Sequence, residues 1–81
     1  MFETTIHVVG FGKRKVGSGK NGPYDFVPVH FTYADNNVNG YAAAECNVDT
    51  AKLEKAGIKV GCDYDVIMSF KFFRPAGIHF L

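Results

Sequence analysis

The sequence predicts an all-β domain carrying one short helix. Three observations lead there. Apolar and polar residues alternate with a period of two along much of the chain, the mark of half-buried strands. Clusters such as Asp35-Asn36-Asn37-Val38-Asn39-Gly40 punctuate that alternation with turn chemistry. Only one segment, Ala51-Lys52-Leu53-Glu54-Lys55-Ala56, has helix-forming composition, with Asp49-Thr50 as an N-cap and Gly57 as a stop. The 81 residues form one domain, 1–81. With 47% hydrophobic and 15% aromatic residues, it has material for a modest core without disulfide staples.

Thr4 to Val16 reads as a long first strand, with Ile6 and Val8 on one face and Val9 and Phe11 on the other. Gly10 and Gly12 inside it predict a bulge or sharp bend. Lys13 to Pro23 is a loop or a flexible two-armed ribbon. Tyr24 to Asp35 is the clearest strand. Val27, Val29, Phe31 and Tyr33 face the core, leaving Tyr24, Phe26, Pro28 and His30 outside. Pro28, having no N–H to donate, predicts an edge strand or pairing on one side only at that point.

Tyr41 to Val48 is the third strand. Ala42, Ala44, Cys46 and Val48 point inward, and Tyr41, Ala43 and Glu45 outward. After the helix, Ile58 to Asp63 leads into the fourth strand, Tyr64 to Phe73. Its two faces are Tyr64, Val66, Met68, Phe70 and Phe72, against Asp65, Ile67, Ser69, Lys71 and Phe73. Arg74-Pro75-Ala76-Gly77 is expected to turn the chain into a short last strand, Ile78 to Leu81. Three strands, a helix and two strands is the element order of a five-stranded OB-fold barrel with its helix between strands 3 and 4. An SH3-like barrel, the nearest competitor, has at most a short 3₁₀ turn, and elsewhere.

The net charge of +1 hides an uneven layout. Residues 1–24 carry four bases and one acid, residues 25–65 three bases and seven acids, and residues 66–81 two bases and no acid. The first basic region is the glycine-rich segment Lys13-Arg14-Lys15-Val16-Gly17-Ser18-Gly19-Lys20-Asn21-Gly22, with no acid between Glu3 and Asp25. It runs directly into Tyr24 and Phe26, aromatics that the strand period leaves outside the core. Cations that neutralise phosphates beside rings that stack on bases are what a single-stranded nucleic acid requires. Arg14, Lys15, Lys20, Lys71 and Arg74 are candidates to track phosphates, and Tyr24, Phe26 and Phe73 to stack on bases, with Tyr41 extending the platform. The same rings could instead form a dimer interface or lie under a loop.

Other chemistry finds little support. Gly17-Ser18-Gly19-Lys20-Asn21-Gly22 spells a dinucleotide fingerprint, but Pro23 and a strand follow where that motif needs a helix. As a P-loop it has Arg14 at the first glycine and Asn21 at the magnesium-binding hydroxyl. His7, His30 and His79 are dispersed, no paired acid and base stands out, and no metal, cofactor or enzymatic activity is expected. Cys46 and Cys62 read as ordinary small residues. Met1-Phe2-Glu3 opens acidic with no apolar run behind it, so a cytoplasmic protein without membrane contact is expected.

Two landmarks resemble the filamentous-phage gene V family of single-stranded-DNA-binding proteins. One is the basic hairpin passing into Gly19-Lys20-Asn21-Gly22-Pro23-Tyr24, then Phe26 and Tyr33. The other is Tyr64-Asp65-Val66-Ile67-Met68-Ser69-Phe70-Lys71, followed by Phe73 and a glycine-containing turn. The resemblance covers roughly residues 13–77. It implies an OB-fold homodimer with a DNA-binding wing at residues 13–24, base contacts from Tyr24, Phe26, Tyr41 and Phe73, and phosphate contacts from Arg14, Lys20 and Arg74. The helix from Asp49 to Gly57 and the late charges depart from that family. The resulting expectation is sequence-tolerant single-stranded-DNA binding in phage or mobile-element DNA replication. Alternatives are single-stranded RNA binding, or a protein-interaction module of a replication or conjugation complex.

Overall fold

The computed structural model describes residues 2–81. The elements are β1 (Phe2–Phe11), β2 (Lys15–Gly19), β3 (Gly22–Ala34), β4 (Tyr41–Asp49), α1 (Thr50–Ala56), β5 (Asp63–Lys71) and β6 (Arg74–Phe80). All strand pairings are antiparallel, in the order β2-β3-β1-β5-β6, with β4 on the other edge of β3. β4 and β6 also approach one another, without a shared ladder among the described residues. The chain is thus a small, mostly antiparallel β domain with one short helix.

Alternation sorts the core as the sequence predicts. Ile6 and Val8 on β1, Val29, Phe31 and Tyr33 on β3, Cys46 and Val48 on β4, and Val66 and Met68 on β5 are buried together. Leu53 brings α1 onto this cluster. Cys46 and Cys62 are both free, the first buried and the second exposed. α1 stops at Gly57, whose φ of 65° and backbone N–H bond to Glu54 make an αL cap. Its other end departs from expectation. Asp49 makes no side-chain capping bond, and the Thr50 hydroxyl instead donates to Asp25 Oδ1 at 2.6 Å.

The predicted first strand is divided. Its register against β3 slips between Val8 and Gly10, a bulge where the glycines predicted one. The extra residue moves Phe11 opposite inward-facing Val29, so Phe11 lies at the rim of the core near Leu53 and not on the face it was expected to share with Val9. The chain leaves the sheet at Gly12, whose N–H donates to Pro28 O at 2.7 Å. β3 is therefore not an edge strand. Its proline lies where the β1 ladder, ending at Val29, has yet to give way to the β2 ladder, starting at Phe26. The N–H and C=O of one antiparallel residue point the same way, so the missing Pro28 N–H faces that gap.

The late hairpin also differs from the expected one. Arg74 to Gly77 does not turn the chain; these residues belong to β6, which pairs β5 from Arg74 opposite Lys71 onward. The turn is Phe72-Phe73, both at positive φ (53° and 64°). Two consecutive positive-φ residues match the right-handed twist of a two-residue hairpin, which usually selects Asn or Gly. Pro75 is tolerated because, among the described residues, β6 has a ladder only with β5. Phe72 consequently lies in the turn and not on the strand face expected to carry it with Tyr64, Val66, Met68 and Phe70, and Phe70 is half-exposed, stacked on Phe2 with ring centroids 5.2 Å apart.

Candidate nucleic-acid interface

The basic segment folds as a ribbon. β2 pairs with the start of β3 from Lys15 opposite Phe26 to Gly19 opposite Gly22, leaving Lys20 and Asn21 at the tip. Directly opposed residues share a face, so Lys15, Phe26, Gly17 and Tyr24 lie on one side of the ribbon. Tyr24 and Phe26 meet with centroids 5.7 Å apart and planes tilted by 38°. Tyr24 crosses the strand over Gly17, where a Cβ would come 2.5 Å from its hydroxyl oxygen. The absent side chain at Gly17 therefore lets the ring lie flat along the ribbon.

Arg14 has a different setting. Its Nε donates to Asp25 Oδ1 at 2.8 Å, and its Nη2 bonds the other carboxylate oxygen. Those bonds, followed by the one from Thr50, hold the Asp25 carboxyl down at about 2, well below the usual carboxylate range. The acid that closes the basic segment thus pairs with its arginine, and the pair ties the foot of the ribbon to the start of α1. The remaining free cations of the ribbon are Lys13, Lys15 and Lys20, all exposed and without an acidic partner among the described residues.

The second candidate group lies elsewhere. Lys71, Phe73 and Arg74 sit at the β5–β6 turn, with Lys71 Nζ 5.7 Å from the Phe72 ring centroid. Phe73 and Arg74 border a groove shared with Tyr33, Asp35, Val38 and the start of β4. That is the C-terminal end of β3, whereas Tyr24 is at its N-terminal end. Ten residues of strand separate Tyr24 from Ala34, about 33 Å at 3.3 Å per residue, along a molecule 40 Å in its longest dimension. Tyr41 is 75% exposed and opposes Ala34 on the outer face. It belongs to the far end and does not extend the Tyr24–Phe26 pair.

Between the two ends, the outer face is acidic. Asp63 Oδ1 lies 2.6 Å from His7 Nδ1, Asp65 accepts from the Thr5 hydroxyl at 2.7 Å, and Glu45 stands 3.9 Å from His30. A polyphosphate crossing this belt meets carboxylates, so the ribbon is the more favourable track. Sequence reasoning missed Phe2, Phe70, Phe72 and Asp35, which gather with Phe73 around one opening at the far end. The string Lys71-Phe72-Phe73-Arg74 was the available signal, with two rings between two cations where one strand ends.

No family model matches the chain, and no curated protein or solved structure matches it either. Among the described residues there is no helix long and apolar enough to cross a membrane, and no group of three or more His, Cys, Asp or Glu suited to a metal ion.

Proposed function

We propose that the protein is a non-enzymatic, cytoplasmic binder of single-stranded DNA, of OB type and akin to the filamentous-phage gene V family, serving phage or mobile-element DNA replication. The observation that carries this reading is the Tyr24–Phe26 pair on the basic ribbon, two adjoining rings beside Lys15 with Lys20 at the tip. Exposed Tyr24 and half-buried Phe26 offer π-faces to successive bases, worth roughly 1–3 kcal/mol each and tolerant of sequence. The lysines neutralise phosphates. The strand order supports an OB-type barrel: a β1–β3–β4 meander, a helix, then β5 returning to β1.

Titration with oligo-dT, followed by tyrosine fluorescence at several salt concentrations, tests the reading. With Arg14 tied to Asp25, three ribbon lysines predict a slope of log K against log[salt] of about −2. Engagement of Lys71 and Arg74 as well makes it about −3.5. A flat salt response without tyrosine quenching overturns the proposal. The competing reading, a protein-interaction module that self-associates as a homodimer or docks in a replication complex, draws on the solvent-exposed Phe72 and Phe73. Phe73→Ala that abolishes association and leaves oligonucleotide binding intact favours it. Oligo-U outcompeting oligo-dT would move the ligand to RNA.

A further inference from the structure

The end of the core opposite α1 is open. Leu53 and Phe11 cover the N-terminal half of β3, near Val27. At the other end, Phe2 opposes Met68 on the inward-facing side, Phe70 lies half-exposed beyond it and Phe72 stands in the adjoining turn, with nothing over them among the described residues. The result is a cavity of about 830 Å³ lined by Phe2, Phe70, Phe72, Phe73 and Tyr33, with Asp35, Asn36 and Asn37 forming another wall. That volume is within the roughly 300–1,000 Å³ of small-ligand clefts. Phe72 is 84% exposed and held at a positive φ, a costly conformation for a large side chain that recurs at ligand sites.

Flat apolar faces beside a short polar wall suit an occupant that is itself flat, with a polar edge, which describes a nucleobase. The carboxylate narrows the choice. Asp35 Oδ1 accepts the Asn37 backbone N–H at 2.9 Å, fixing the group at the mouth while leaving lone pairs free. An ionised carboxylate only accepts, and among the bases guanine alone presents two adjacent donors, N1–H and the 2-amino group. Adenine and cytosine set an acceptor beside their amino group, and thymine flanks its one N–H with two carbonyls. Lys71 and Arg74, on either side of Phe72-Phe73, offset the repulsion between Asp35 and a phosphate chain.

We propose that the aromatic mouth of Phe2, Phe70 and Phe72, with Asp35, is a subsite for one guanine base of a bound single strand, and this rests on the single-strand reading above. It gives an otherwise sequence-tolerant binder one position with a base preference.

Two measurements on the full chain test it separately from that reading. In the first, an oligo-dT of about twelve residues is compared with the same oligomer carrying one dG. The dG oligomer binds about tenfold tighter, as one or two charged hydrogen bonds warrant. Asp35→Asn abolishes that gain without weakening plain oligo-dT binding, since it removes only a charge that repels phosphate. Equal affinities, or a gain that survives Asp35→Asn, overturn the subsite.

In the second, dGMP, dAMP, dCMP and TMP are titrated into the unmodified protein and followed by NMR. dGMP shifts the amides of Asp35, Asn36, Phe70 and Phe72 at lower concentration than the others. No shift there, equal response to all four nucleotides, or self-association that closes the mouth overturns the subsite. Failure to bind oligo-dT with a positive dGMP response removes the single-strand reading and retains the guanine site.

Discussion

Gly17 and Tyr24 face each other across the ribbon so closely that a methyl group at Gly17 would sit 2.5 Å from Tyr24 Oη and 2.7 Å from Cζ. The atoms in the way are the far end of a side chain that can rotate. Gly17→Ala should therefore change stability by less than about 1 kcal/mol while swinging the ring off the ribbon. Displacing one stacked ring is expected to weaken oligo-dT binding by about tenfold. Urea unfolding with a parallel fluorescence titration checks both halves. A variant that unfolds early with affinity retained contradicts the assignment.

Gly12 is the opposite case. A Cβ there would meet Pro28 Cβ at 2.9 Å and Cγ at 3.0 Å. The pyrrolidine ring cannot rotate away, and the Gly12 N–H is bonded to Pro28 O. Gly12→Ala is expected to cost about 1–3 kcal/mol by overpacking the strand break, read as a lower urea midpoint with an unchanged m-value.

The Arg14–Asp25–Thr50 group predicts an acid dependence. The folded pKa of Asp25 is about 2, below the ordinary value of 3.8. The stability it contributes is complete above the unfolded pKa and is lost as pH falls through the folded one. Asp25→Asn should therefore lower Tm at about pH 5–7, with the difference from the unaltered protein shrinking as pH falls toward about 2 and vanishing below it. Thermal melts across that range check it. A difference independent of pH would assign the effect to geometry instead of charge.

Phe73 makes a trade visible. Its side chain is fully exposed and its φ is 64°, so it holds an unfavourable backbone conformation with no packing in return. Phe73→Gly should raise stability by about 0.5–1 kcal/mol, the relief of positive φ less the added flexibility of glycine in the unfolded chain. If the turn contacts DNA, affinity falls in the same variant. Chemical denaturation and oligo-dT titration read the two quantities independently. A destabilised Phe73→Gly protein would mean that the ring packs against something.

The faces of β3 and β4 were legible because residues such as Val29, Phe31, Cys46 and Val48 obey a strict period of two, and burial follows it except at Pro28, expected on the outer face but buried where Gly12 packs on it. The αL stop at Gly57 was legible for a similarly local reason, since only glycine adopts that conformation freely. Phe11 was misassigned because one extra residue in a bulge inverts the face of everything beyond it. Phe72 was misassigned because the alternation of β5 runs through the turn without a glycine or asparagine to stop it. The Arg14–Asp25 pair was hidden in the same way: eleven residues separate its members in sequence, and only the β2–β3 register joins them.

By itself, the sequence determined the all-β character with one short helix, most of the inward residues of β3 and β4, and the adjacency of a basic segment to two aromatic rings. These are properties of one strand or one turn, governed by periodicity and backbone preference. Which charges remain free, and which groups meet, was decided only by tertiary structure. Strand pairing joined Arg14 to Asp25, set Lys15 beside Phe26, and carried Lys71, Phe73 and Arg74 to the end of β3 farthest from the ribbon. A strand is stiff and extends about 3.3 Å per residue, so ten residues of β3 keep the two basic groups apart however similar they look in the sequence.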